Sequence, residues 1–152
     1  QGALQGGNRP LIFDTKDYTN QQIVELYNKS HCLPYPTRAE GWGRTLHEAM
    51  ACKLPAIATN YSGVKEFANN DTCYMIPVDK LVDIPDSSVF RMPFFKDQQW
   101  AQPNFEYLLD KMEEIYLKGY NNKILESGYK KAHSLTTKRS YNNVKNILKK
   151  FT

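Results

Sequence analysis

The chain has 152 residues, 41% of them hydrophobic and 24% charged, which supplies one globular domain with a core and excludes a disordered or fibrous chain. Its formal charge of +4 comes from 20 basic against 16 acidic residues, and no apolar run approaches the ~20 residues that a bilayer-spanning helix needs. The opening QGALQGGNRP lacks the charged and apolar regions of a signal peptide, so residues 1–9 read as a flexible leader or expression scar and residues 10–152 as the folding unit.

LIF at residues 11–13 reads as a strand. Thr19 is a suitable N-cap for a helix with Ile23, Val24, Leu26 and Tyr27 on one apolar face. HCLPY, 31–35, reads as the next strand. GWGRTLHEAMAC follows as loop and helix, ended by Lys53, Leu54 and Pro55, and PAIAT at 55–59 supplies a buried strand. Val64 to Ala68 is a short helix, and CYMIP at 73–77 closes a β and α series whose spacing predicts crossover units in a parallel sheet. Beyond Val78, VDIPDSSVFRMPFF has two prolines and few periodic positions and reads as an extended arm. Pro103 is then placed at a first helical position, with Phe105, Leu108, Leu109, Met112, Ile115 and Tyr116 as a core-packing stripe that Gly119 ends. Two more helices, near 121–133 and 137–151, complete the chain.

Cys32, Cys52 and Cys73 are odd in number and lie in apolar segments, which suits thiols in a reducing, cytoplasmic compartment. Asn-x-Ser/Thr triplets at Asn28, Asn60 and Asn70 carry no meaning without secretion. The basic excess gathers near the C-terminus, in GYKKAH and TKRSYNNVKNILKK. Val144, Ile147, Leu148 and Phe151 recur there at helical spacing with lysines between them, so the charge reads as a solvated helix face, and no nucleic-acid partner is expected.

The stretch EGWGRTLHE, 40–48, carries the chemistry. A loop entering a helix presents unpaired N–H groups and a partial positive charge, for which phosphate is a natural guest. Gly41 and Gly43 permit unusual dihedrals and close backbone approach, so amides around Trp42, Gly43, Arg44 and Thr45 can cradle a phosphate. On this reading Gly43→Val obstructs the cradle and leaves the fold largely intact. Glu48 lies about 7.5 Å along the helix axis from Gly43 at ~1.5 Å per residue, too far to crowd the same phosphate. Two ionised carboxylates match pairs of hydroxyls on sugars at either side of a diphosphate, which describes a nucleotide sugar. The structural alternative is that Glu40 and Glu48 only solvate a helix start. Glu66 either lines the donor pocket or faces water. His31, His47 and His133 form no metal-like cluster, His47 reads as packed or hydrogen-bonded, and neither a metal nor a Ser–His–Asp site is expected.

At these residues the sequence resembles the retaining GT-B glycosyltransferases called glycosyltransferases group 1. Their signature sets two glutamates, with seven residues between them, across a Pro-Ser-x-x-Glu-Gly-Phe-Gly loop and a Glu-Ala-Met helix. Here it reads PTRAEGWGRTLHEAMACKLPAIAT. SGVKEF at 62–67 resembles the following Gly-Gly-x-x-Glu turn, and WAQPNFEYLL at 100–109 a Trp-Ala-x-Pro-Asp segment. The resemblance implies an α/β, Rossmann-like parallel sheet with flanking helices, the later part of a GT-B C-terminal nucleotide-sugar-binding domain over residues 10–152. It implies Glu40 as catalytic residue against the donor sugar, Glu48 on the nucleotide ribose, and Gly41, Trp42, Gly43, Arg44 and Thr45 around the diphosphate. Trp42 replaces Phe, Arg44 an apolar residue, Thr37 a Ser, and Lys53 a Gly. The implied activity is transfer of a sugar with retention from a UDP- or GDP-sugar, a substrate rather than a cofactor, to a glycan or other hydroxyl acceptor. An N-terminal acceptor domain and an Arg and Lys pair for the diphosphate are not found in this chain, so the fragment alone is expected to be inactive. The implied place is the cytoplasm or the cytosolic face of a membrane. The alternative is a non-catalytic nucleotide-sugar-binding or scaffold module.

Overall fold

The computed structural model describes residues 14–149. The expected strand at 11–13 and the leader at 1–9 lie outside that range. The architecture is α/β, with a three-stranded parallel sheet flanked by helices. Helix α1 (Asn20–Lys29) leads to β1 (Leu33–Tyr35), α2 (Arg44–Ala51), β2 (Ala56–Thr59), a 3-10 turn (Ser62–Glu66) and β3 (Tyr74–Ile76). The strands pair in the order β1-β2-β3, with Tyr35 opposite Ala58 and Thr59 opposite Ile76.

Local chemistry accounts for these elements. Thr19 caps α1 as expected, and the Gln22 side chain completes a capping box by accepting from the Thr19 amide. All four β2 residues are buried, the pattern of a central parallel strand covered on both faces. Alternation along β2 then sorts the core into two halves. Ala56 and Ala58 pack toward Leu46 and Met50 of α2 and, on the same side, Val64, Phe67 and Ala132. Ile57 joins Ile76 and helix α4 (Phe105–Lys118) through Leu108 and Ile115. Helix α2 ends where Lys53, at φ 56°, turns left-handed. The Lys53 amide donates to the Met50 carbonyl and the Leu54 amide to that of Ala49, a Schellman closure that ordinarily uses Gly.

The segment after Val78 differs from an extended arm. Residues Val78–Asp83 form β4, which pairs antiparallel with β5 (Gln99–Pro103). Helix α3 (Asp86–Arg91) and a 3-10 turn at 93–95 fill the connection. Pro103 ends β5 instead of opening a helix. Asn104 is the N-cap of α4, accepting from the Tyr107 amide at 2.7 Å, a bond that Pro103 could not supply because it has no suitable side chain. The α4 stripe is only partly core. Leu108 and Ile115 are buried, whereas Phe105, Leu109, Met112 and Tyr116 are exposed. Helices α5 (Asn122–Ser134) and α6 (Thr137–Leu148) follow. The three cysteines are free thiols; Cys73 is buried, and Cys32 and Cys52 are half-buried. Burial pushes the Cys32 thiol up to about 11.

Thr59 is a buried exception, 1% exposed, with no hydrogen-bond partner for its hydroxyl among the described residues. An unsatisfied buried hydroxyl costs about 1–3 kcal/mol, and a same-shaped apolar group avoids that cost. Thr59→Val is therefore expected to raise unfolding stability by about 1 kcal/mol in urea titration, and a loss of stability would show that the hydroxyl has a partner.

Candidate functional site

The site is built where the loop after β1 enters α2. Gly43 is the N-cap of α2 and is left-handed, at φ 84° and ψ 58°, and no side chain caps the helix. The first-turn amides of α2 therefore have neither an intrahelical partner nor a side-chain one among the described residues. A Cβ at Gly43 would stand 2.8 Å from Val64 Cγ1. The expectation that Gly43→Val leaves the fold intact is thus corrected: both the dihedral and the contact with Val64 make Gly43 structural. Gly41 is different from the sequence reading as well. It has no left-handed φ, and a Cβ there would meet nothing within 4 Å.

Glu40 is held by three hydrogen bonds. Its amide donates to Ser62 Oγ at 2.8 Å, its carbonyl accepts from the Gly63 amide at 3.0 Å, and its Oε1 accepts from the Tyr35 hydroxyl at 2.7 Å. Burial, then the bond to Glu40 and its charge, hold the Tyr35 hydroxyl well above the ordinary tyrosine range. Ser62 adopts φ 57°. Gly63 is required by close approach, since a Cβ would lie 2.0 Å from the Gly41 carbonyl oxygen.

Glu48 sits about one turn into α2, with its side chain 40% exposed. Tyr27 of α1 donates to Glu48 Oε2 at 3.2 Å, with the Thr45 carbonyl 3.4 Å from the same hydroxyl. Burial first and the Glu48 charge second push Tyr27 up to about 12. Arg44 reaches along the helix to Glu48 Oε1 at 3.4 Å, and its side chain is 87% exposed. Asn20, Ile23 and Val24 of α1 face Arg44, Thr45 and Glu48 across a groove of about 580 Å³. A larger groove, about 960 Å³, lies between α1 and α4, and neither glutamate lines it.

Trp42 stacks on Phe67 with ring centroids 4.9 Å apart and meets the edge of His47 at 6.1 Å. His47 Nε2 lies 3.0 Å from the Ala132 carbonyl; because a carbonyl only accepts, this nitrogen carries the proton, and His47 is a packing and hydrogen-bonding residue, as its place on the helix suggested. Glu66 ends the 3-10 turn with an exposed side chain. The loop before Glu40 is tied to the β4–β5 ribbon: the Ala101 amide donates to the Arg38 carbonyl at 2.9 Å, and the Arg38 guanidinium stacks 4.9 Å above the Trp100 ring.

Glu40, Gly41, Trp42, Gly43, Arg44, Thr45 and Glu48 thus surround one helix N-terminus. Sequence reasoning missed Tyr27, Tyr35 and Ser62, which hold the two glutamates. The only available signal for Ser62 was its place at the first Gly of the Gly-Gly-x-x-Glu resemblance.

The fold and site define a Rossmann-like α/β unit with an uncapped helix N-terminus between two carboxylates. Residues 11–80, which contain both, match the family model for Glycosyl transferases group 1. The chain is also 27% identical over 114 residues to mannosylglucosylglycerate synthase of Thermotoga maritima, an alignment that covers 60% of this chain and 26% of the relative. The chain spans about a quarter of the length of the curated relative it matches.

The glycines give a graded test of the loop. Gly41→Ala should stay within about 0.5 kcal/mol of the parent, as an open surface change does. Gly43→Ala and Gly63→Ala should each lose about 1–3 kcal/mol, the range for backbone strain and overpacking. Chemical denaturation orders the three, and equal losses would contradict the loop geometry.

Proposed function

We propose that this chain is the nucleotide-sugar-binding part of a retaining GT-B glycosyltransferase, which transfers a sugar from a UDP- or GDP-sugar to a hydroxyl acceptor. The observation that carries the reading is the uncapped N-terminus of α2 set between Glu40 and Glu48. The match of residues 11–80 to Glycosyl transferases group 1 supports sugar transfer in general.

In this reading the first amides of α2 receive the diphosphate. Negative charge grows on that leaving group as the glycosidic bond breaks, and fixed N–H dipoles stabilise the growing charge without reorganising. Glu48 accepts from the ribose hydroxyls in the groove that Tyr27 and Ile23 help to line. Glu40 lies beside the donor sugar, whose ring gains positive charge in the same step, and its carboxylate stabilises that charge on the face where the acceptor enters. Tyr35, Ser62 and Gly63 fix its orientation beforehand. Arg44 adds a cation at the mouth of the cradle. An acceptor-binding domain, supplied outside this chain, completes the cleft, so the chain alone binds donor without turnover.

Calorimetric titration of the chain should show UDP or GDP binding at least about tenfold more tightly than uridine or guanosine, a difference of ~1.4 kcal/mol. Equal affinities would remove the phosphate cradle. Glu48→Gln keeps shape and removes charge from a hydrogen bond made in both ground and transition states, so it should weaken nucleotide binding by about 1.5–3 kcal/mol. Glu40→Gln, assayed in the full-length enzyme, should lower kcat more than it raises donor KM, because the charge it opposes develops only in the transition state. The reverse pattern would exchange the roles of the two carboxylates.

A further inference from the structure

Trp100 and Ala101 lie on β5, outside the α2 site, yet both touch the loop that carries Glu40. The Ala101 amide donates not to β4 but to the Arg38 carbonyl at 2.9 Å. Ala101 is fully buried, so this bond is sheltered from competing water. The Arg38 guanidinium lies 4.9 Å above the Trp100 ring. The indole N–H of Trp100 is itself buried without a partner among the described residues. A ring with no polar atom would avoid the cost of that orphan donor; what indole adds in exchange is its face, the aromatic surface that holds a cation best. The ribbon behind this contact is firmly rooted. A single residue, Pro77, separates β3 from β4. The Asn104 amide donates to the Pro77 carbonyl at 2.9 Å, and the Asn104 side chain donates to Asp79 Oδ1 at 2.8 Å. Beyond Asn104, α4 enters the core through Leu108 and Ile115.

We infer that Arg38 is a positioning residue for Glu40, held by Trp100 so that the β4–β5 ribbon braces the loop on which the carboxylate stands. On its other side the Glu40 peptide is held by Ser62 and Gly63. One anchored peptide fixes a point and lets the chain pivot about it. A second anchor two residues earlier, on a different element, removes the pivot and fixes the direction of the side chain as well. A contact that served only to stabilise the ribbon would give Arg38 little to do. The ribbon is already rooted at Pro77 and Asn104, and an exposed cation over a ring adds little stability. The inference rests on the reading of Glu40 as the carboxylate beside the donor sugar.

Kinetics on the full-length enzyme, with calorimetry on the chain alongside, test it. Arg38→Gln should lower kcat about tenfold, because a slightly displaced group loses much of its effect, while donor KM stays within about twofold. Arg38→Lys keeps a cation for the ring and should recover most of the loss. Trp100→Leu should match Arg38→Gln, and the two together should cost no more than either alone. Where Trp100→Leu loosens the fold itself, the Arg38 variants decide, because that side chain is exposed. Arg38→Gln added to Glu40→Gln should cost nothing further, since both act through one carboxylate. The chain's affinity for UDP or GDP should be unmoved by Arg38→Gln, because the α2 amides and Glu48 have other supports. Parental kcat in Arg38→Gln, a further loss in the Glu40→Gln enzyme, or a fall in nucleotide affinity that matches the fall in kcat would overturn the inference and leave the α2 site in place. UDP and GDP binding the parent no more tightly than their nucleosides would remove the reading of the site, and this inference with it.

Discussion

The peptide of Glu40 is held at both ends by the turn that follows β2, its N–H by the Ser62 hydroxyl and its C=O by the Gly63 amide. These two bonds fix where the loop from β1 lies before α2 begins. The turn itself is placed by β2, whose four residues are buried, so the central strand determines the position of a carboxylate on a neighbouring loop. Holding the loop this close has conformational costs. Ser62 is left-handed at φ 57°, which costs a non-glycine residue roughly 1–2 kcal/mol, and position 63 accepts no side chain. Backbone strain of this kind persists only where the surroundings over-determine it. Here the surroundings are Val64 within the turn and Phe67 just after it, both buried.

The same clamp separates the behaviour of the two glutamates. Glu40 is held through its main chain and receives the Tyr35 hydroxyl, so its carboxylate has one direction before any ligand arrives. The Glu48 main chain belongs to α2, and its carboxylate is held by Tyr27 at 3.2 Å and Arg44 at 3.4 Å. These are long bonds at a half-exposed position, and a ligand hydroxyl can displace them at small cost. A rigid carboxylate before an uncapped helix and an adaptable one within it suit different tasks. The rigid one can be oriented for charge that appears briefly, and the adaptable one can accept hydrogen bonds that persist.

What the sequence revealed follows how local its causes are. Thr19 and Gln22 cap α1 within three residues, and the buried run at 56–59 declares a central strand without reference to any partner. The GWGRTLHEAM loop and helix were legible because glycine and helix periodicity meet within one turn. The β4–β5 ribbon was not. VDKLVD and QWAQP pair across an intervening helix, both are half-exposed, and prolines between them read locally as an irregular arm. Pro103 misled because its preference for a first helical turn is shared by a strand end, and the choice was made by the Asn104 cap and by pairing with Val78. The Tyr35, Tyr27 and Ser62 contacts join residues 5, 21 and 22 positions apart in the chain, and no periodicity reports such distances.

Exposed apolar surface includes two regions of different electrostatic character, the groove between α1 and α4 and helix α6. Around the groove between α1 and α4, Met112, Tyr116 and Tyr120 are interleaved with polar groups of Asn28, Ser30 and His31, and β1 has no second strand neighbour among the described residues. Apolar contact and open strand edges favour other polypeptide, because main-chain N–H and C=O groups need partners that lipid cannot provide. Helix α6 has its backbone bonds satisfied internally and needs none. Its apolar stripe is bordered by cations on a helix free of carboxylates. These two faces therefore differ first in whether main-chain groups remain open for pairing and second in charge, and the first difference weighs more, because an unpaired buried peptide group costs several kilocalories.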